Sequence, residues 1–91
     1  MSETAPDVSV VLVSHNGARW LDEVLSAVRA QRTRQRFEVL AVDSSSTDAT
    51  RSILERHGAR VYVISQAEFG YGRTRNLGAR LARGRYLVFM I

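Results

Sequence analysis

The stretch Phe37–Thr50, FEVLAVDSSSTDAT, changes its structural period part-way through. Phe37 to Val42 is a mostly apolar run suited to a strand. Asp43 to Asp48 is a polar turn that offers Ser46 or Thr47 as a helix N-cap. Ala49, Ile53 and Leu54 then supply the inward face of a helix that Gly58 closes. The same grammar extends in both directions. Upstream, VSVVLV (Val8–Val13) is a run for a strand buried on both faces, broken by SHNG. Trp20, Leu21, Val24, Leu25 and Val28 then recur at helical spacing, with Asp22 and Glu23 in the first turns and Arg29 near the end. Downstream come a strand RVYVI (Arg60–Ile64), a glycine-containing loop SQAEFGYGRT, a helix RNLGARLAR stopped by Gly84, and a last strand RYLVFMI. Strand and helix alternate three times before that last strand. The pattern predicts an α/β domain over residues 8–91, an open parallel sheet of four strands and three helices with right-handed crossovers, after a disordered start over residues 1–7. Ligands of such sheets lie beyond the carboxyl ends of the strands, where the strand order reverses. The loops of interest are therefore SHNG, DSSSTD and SQAEFGYGRTRN.

A chain of 91 residues is one domain at most, and one this short buries only about 60% of the surface exposed when unfolded. Its composition, 45% hydrophobic and 24% charged, is that of a globular domain. No segment approaches the roughly 18 uninterrupted apolar residues of a membrane span. The opening MSETAPD lacks a basic and an apolar region of export type, and there is no cysteine for a disulfide or thiolate, so a cytoplasmic location is the expectation. All 13 basic residues are arginine and the net charge is +4. The cluster RAQRTRQR (Arg29–Arg36) reads either as a nucleic-acid contact or as a solvated helix end that complements the helix dipole. It has no interleaved aromatics for base stacking, so no nucleic-acid partner is expected.

Asp43 directly follows a strand, at the carboxyl edge of the sheet. Its carboxylate can serve ribose hydroxyls or base N–H groups, or it can accept N–H bonds within its own turn. SHNG does not match the G-x-G-x-x-G of dinucleotide-binding folds, and a chain with no lysine has no P-loop. Arg73 and Arg75 fall in the loop and opening turn of the third helix, where guanidinium and helix dipole favour an anionic diphosphate. Arg75, followed by Asn76 as a cap or polar contact, is the better candidate. His15 and His57 are too isolated to make a metal site, and the serines of DSSST lie in no nucleophile elbow. No catalytic or metal-ligating residue is assigned.

Three blocks, VSVVLVSHNGARWLDEVLSAV, FEVLAVDSSSTDAT and RTRNLGARLARGRYLVFM, together resemble the N-terminal half of family 2 glycosyltransferases, inverting enzymes of the GT-A fold. FGYGRTRNLGA resembles the rhamnosyltransferase-like branch, whose products belong to cell-envelope polysaccharides. The resemblance implies a Rossmann-like half-domain with strand order 3-2-1-4. It implies a nucleotide-diphosphate sugar as donor, with Val13, Ser14 and Asn16 near the base, Asp43 on the base or ribose, Ser44 beside it, and Arg75 approaching the nucleotide. Ser44 and Ser45 stand where many members have Asp and Gly, and Tyr71 where the branch often has His. The family's divalent cation, Mg or Mn, is held by an Asp-x-Asp motif beyond the fourth strand. That motif and the general base are absent from this sequence, so the resemblance implies a truncated enzyme, inactive alone, partnered by a missing C-terminal half. It also implies self-association through the last strand and, for the full-length enzyme, a peripheral position at the inner face of the membrane. A non-catalytic nucleotide-binding or interaction module is the alternative.

Overall fold

The computed structural model describes residues 5–31 and 35–90. The chain runs β1 (Val8–Ser14), α1 (Ala18–Arg29), β2 (Phe37–Ser44), α2 (Thr50–Arg56), β3 (Arg60–Ile64), a 3-10 turn (Gln66–Glu68), α3 (Tyr71–Leu81) and β4 (Tyr86–Met90). Neighbouring strands are all parallel, in the order β3-β2-β1-β4. This is the α/β architecture and strand order expected above. The anticipated disordered start and the basic segment fall partly on residues 1–4 and 32–34, outside the described residues. At Asp7 the chain is already held. Its N–H donates to the Arg36 carbonyl at 2.7 Å, its carboxylate accepts from the Arg36 N–H at 3.0 Å, and its carbonyl accepts from the Tyr86 N–H at 3.0 Å.

One face of the sheet carries Leu12, Val39 and Ala41, which pack with Leu21 and Leu25 of α1 and Ile53 and Leu54 of α2. Leu25 and Leu54 are 1% and 0% exposed, and each such leucine contributes about 1.5–3 kcal/mol through burial. Because side chains alternate along a strand, Val11 and Val42 point to the opposite face, where they meet Gly78 of α3. The first two crossovers step from β1 to β2 to β3. The third carries the chain back past β1, so that β4 pairs on the other side of β1 from β2. The order therefore reverses at β1, and the crevice of an α/β sheet opens there.

Several element boundaries differ from the sequence reading: β1 and β2 continue through Ser14 and Ser44, so Asp43 lies within β2 and does not follow it. The expected cap from Ser46 or Thr47 does not form: Ala49 occupies the N-cap position of α2 and has no capping side chain. Asp48 takes that role, accepting from the Thr50 N–H at 2.9 Å and from the Thr50 hydroxyl. A carboxylate two residues before an N–H closes an Asx turn, and its charge suits the positive helix end better than a hydroxyl does. α3 begins a full turn before the expected Arg75, and it ends at Leu81, before Gly84. Thr74, 1% exposed, folds its opening turn: the Thr74 N–H donates to the Gly70 carbonyl at 2.7 Å and its hydroxyl accepts from the Gly70 N–H at 3.1 Å. Asn76 is thus a mid-helix residue and caps nothing. The end of α2 is as read. Gly58 takes φ +78°, its N–H bonds the Glu55 carbonyl and the Ala59 N–H bonds the Leu54 carbonyl, the paired bonds of a Schellman motif that favours glycine.

Candidate nucleotide site

Register places Ser14 opposite Asp43 at the carboxyl ends of β1 and β2. Asp43 is 0% exposed. Its Oδ1 accepts from the Ser14 hydroxyl at 2.7 Å and the Ser46 hydroxyl at 2.6 Å, and its Oδ2 accepts from the Ser46 N–H at 2.9 Å. Of the two roles the sequence left open, the turn acceptor is the one formed here. Asp43 fastens the β2–α2 turn to β1.

The two loops are further joined through Asn16. Its N–H donates to the Ser46 hydroxyl at 2.8 Å and its side-chain oxygen accepts from the Thr47 N–H at 2.8 Å. The Gly17 N–H donates to the Thr50 hydroxyl at 2.8 Å, and the Ala18 N–H to the Asp48 carboxylate at 3.2 Å. The first free N–H groups of α1 are therefore satisfied from the neighbouring loop. The Thr50 hydroxyl, with the Thr50 and Ala18 N–H groups, holds the Asp48 carboxyl below its ordinary value despite the opposing effect of burial. Asn16 and Ser45 both adopt φ +47°. Asparagine tolerates this left-handed region. Serine does so at a cost of about 1–2 kcal/mol, offset by the bond its hydroxyl donates to the Ile64 carbonyl at 2.6 Å. Ser45 thus holds a left-handed backbone of the kind a glycine adopts without cost.

Beside this scaffold lies a cavity of about 630 Å³ at the carboxyl ends of β1, β2 and β4. Val13, Ser14 and Ser44 form its floor, and Arg75 and Phe89 one wall. The Arg75 guanidinium lies 4.8 Å from the centre of the Phe89 ring, a cation–π contact that holds the cation while leaving its N–H edge for a ligand. Phe69 and Tyr71 stack edge to face at 5.1 Å on another wall. Arg73 instead donates to the Phe69 carbonyl at 3.2 Å and lies outside this cavity.

Of the sequence-nominated residues, Val13, Ser14, Ser44 and Arg75 line the cavity, whereas Asn16 and Asp43 stand behind it as its framework. His15 was missed. It lines the cavity and contacts the Ser44 carbonyl through Nδ1 at 2.6 Å. A carbonyl only accepts, so Nδ1 carries the proton, and in the neutral ring Nε2 is an acceptor, 3.4 Å from the Asn16 amide nitrogen. Nothing in its sequence neighbourhood revealed this role, because its partner lies across the sheet. Asp48 and Thr50 were also missed, although the spacing of an Asx turn before a helix was a usable signal.

The described residues do not fit a metal site. No three His, Cys, Asp or Glu side chains come together among them. Asp43, whose neighbours Ser14 and Ser44 line the cavity, is buried and committed to three hydrogen bonds.

Residues 9–90 match the family model described as glycosyl transferase family 2. Validoxylamine A glucosyltransferase of Streptomyces hygroscopicus subsp. jinggangensis is 37% identical over 93% of this chain and 21% of its own length. The O-antigen chain rhamnosyltransferase WbaN of Salmonella anatum is 35% identical over 93% of this chain and 27% of its own. The crystal structure of S. aureus TarS 1-349 in complex with UDP superposes with a TM-score of 0.82 at 28% identity, over 92% of this chain and 26% of that one. Glucosyl-3-phosphoglycerate synthase from Mycobacterium tuberculosis, in complex with Mn2+, UDP and glucosyl-3-phosphoglycerate, gives a TM-score of 0.71 at 29% identity, over 93% of this chain and 33% of that one. The chain thus spans between a fifth and a third of the length of these proteins. Three blocks of sequence, the strand order and a family match over nearly the whole chain agree: this chain belongs to glycosyl transferase family 2.

Proposed function

We propose that this chain is the nucleotide-sugar-binding half of an inverting glycosyltransferase. In the reaction, an acceptor hydroxyl oxygen attacks the anomeric carbon, its proton passes to a base, and the bond to the nucleoside diphosphate breaks on the opposite face. The observation that carries the reading is the cavity where Arg75 faces Val13, Ser14 and Ser44 at the strand ends, in a fold that superposes on UDP-bound TarS. A guanidinium one turn into α3 that lines this cavity suits a diphosphate, both in the bound donor and as the departing group. Asp43 serves the base or ribose through its remaining lone pair once the Ser46 turn gives way, and Asn16 holds the loop that frames the base. No carboxylate among the described residues lines the cavity; in the same proposal the cation and the general base belong to a complementary half, and the 91 residues alone turn nothing over. WbaN is by name an O-antigen chain enzyme and TarS a poly(ribitol-phosphate) enzyme. A cell-envelope polysaccharide as acceptor, built at the cytoplasmic face of the membrane, is part of the same proposal. No helix among the described residues is long and apolar enough to cross a membrane.

The test is calorimetric titration of the chain with UDP, GDP, dTDP and the parent nucleosides. Losing a charge-assisted bond costs about 1.5–3 kcal/mol, so Arg75→Ala is expected to weaken the preferred diphosphate by about 10- to 100-fold. The nucleoside should be unaffected. Equal weakening of nucleoside and diphosphate would remove Arg75 from the phosphate site.

Self-association belongs to the same proposal. Among the described residues β4 pairs only with β1, and Tyr86, Leu87, Val88 and Phe89 are 59%, 38%, 48% and 37% exposed, with no charge or proline within the strand. Such an edge is a template for pairing. Light scattering is expected to show mass rising with concentration, and a monodisperse monomer throughout the range would contradict it.

A further inference from the structure

The end of the sheet opposite the nucleotide cavity gathers guanidinium groups. All strands are parallel and each helix returns against them, so strand starts and helix ends share this pole. Arg29, Arg56 and Arg80 lie in the last turns of α1, α2 and α3, where the negative end of each helix dipole accounts for them. Arg36, Arg60 and Arg83 lie outside the helices, although Arg60 also serves the negative end of α3 through the Leu81 carbonyl. They line one cavity of about 460 Å³ together with Phe37 and Glu38.

This cavity is a built feature. Oε1 of Glu38 accepts from Arg60 Nε at 3.0 Å, and Oε2 accepts from the Ser9 hydroxyl at 2.5 Å and from the Arg83 N–H at 2.8 Å. Arg60 Nη2 donates to the Leu81 carbonyl at 2.8 Å, and the Gly84 N–H donates to the Ser9 hydroxyl at 2.8 Å. The Arg36 backbone is pinned on both sides by Asp7. Burial pushes the Glu38 carboxyl up, but the Ser9 hydroxyl, the Arg83 N–H and the Arg60 guanidinium outweigh it and hold the group below its ordinary value. Glu38 is thus bonded by one guanidinium, that of Arg60, and by the Arg83 backbone, while Arg36 and Arg83 line the same cavity. The Asp7 carboxylate is turned to the Arg36 backbone, and neither the Arg36 nor the Arg83 side chain makes an ion pair with another described residue. Like charges gathered around one cavity repel less once an anion sits between them, and guanidinium forks match the oxygens of a phosphate.

We propose that Arg36, Arg60 and Arg83 form a phosphate-binding site at the pole opposite the nucleotide cavity. Glu38 is its positioning residue. The ligand is a phosphate ester, either a soluble monoester or the headgroup of an anionic lipid.

The test is NMR titration of the chain with inorganic phosphate and glycerol phosphate at constant ionic strength, alongside sedimentation with phosphatidylcholine vesicles with and without phosphatidylglycerol. Saturable shifts are expected at the Arg36, Glu38, Arg83 and Gly84 N–H groups. The double substitution Arg36→Gln/Arg83→Gln should weaken binding at least about tenfold, the equivalent of 1.4 kcal/mol. The charge-matched control Arg19→Gln/Arg51→Gln should not. All four side chains belong to exposed residues, and thermal unfolding verifies that both variants fold. Saturation by glycerol phosphate without vesicle binding identifies a soluble ester, and vesicle binding lost in the double variant identifies a lipid headgroup. The proposal is overturned if no ligand saturates, if both double variants weaken binding alike, or if short duplex DNA binds the same residues more tightly than either phosphate source.

Discussion

Asp43→Ala is expected to lower the unfolding free energy by about 3 kcal/mol and to abolish nucleotide binding with it. The carboxylate is 0% exposed and accepts from Ser14, from the Ser46 hydroxyl and from the Ser46 N–H. Its removal strands a buried serine hydroxyl and two donors of the turn, and each unsatisfied buried group costs about 1–3 kcal/mol. Asp43→Asn should fall between the parent and Ala, because its oxygen replaces Oδ1 while its amide points a donor at the Ser46 N–H. Urea unfolding and nucleotide titration read the two effects separately. A parental unfolding midpoint in Asp43→Ala would show that the three bonds do not hold the turn.

Gly84→Ala is expected to destabilise as strongly, and from the other end of the sheet. A Cβ at this position would sit 2.6 Å from the Ser9 backbone nitrogen, 2.7 Å from the Val8 carbonyl carbon and 2.8 Å from the Ser9 hydroxyl. Two of these neighbours are backbone atoms of the central strand β1, which cannot step aside as a flexible side chain could. Overpacking costs about 1–3 kcal/mol and occasionally more, and the bond from the Gly84 N–H to Ser9 is lost with it. A domain of this size has about 5–10 kcal/mol in all. The expected result is a urea midpoint lowered by a third or more at an unchanged slope. An unchanged midpoint would mean that β4 and β1 separate freely, and that the α3–β4 connection is not fixed by Glu38 and Ser9.

The strands and helices were legible because FEVLAV and VSVVLV are short, mostly apolar runs rich in valine and Leu21, Leu25 and Val28 keep helical spacing. The strand order came from resemblance, since periodicity does not say which strands are neighbours. Register was likewise invisible. The Ser14–Asp43 bond joins residues 29 apart, and the His15 contact with Ser44 spans the same separation, so neither could be read from local pattern. Asp43 was read as the residue after the second strand; it is the penultimate residue of β2, and its partners are the protein's own hydroxyls and an N–H. The aromatic wall of Phe69, Tyr71 and Phe89 comes from two segments that meet only after α3 crosses the sheet. The start of α3 was misplaced for a local reason: Gly70 and Gly72 read as loop, while the tie between Thr74 and Gly70 carries the helix back to Tyr71.

The central claim is that the carboxyl ends of β1, β2 and β4 bind a nucleoside diphosphate. Mapping amide and side-chain NMR shifts of the 91-residue chain during titration with UDP and GDP tests it most directly. Saturable shifts concentrated at Val13, Ser14, His15, Ser44, Arg75 and Phe89, and absent from Arg36 and Arg83, are the expected result. Shifts that map elsewhere, or that never saturate with either nucleotide, would contradict it.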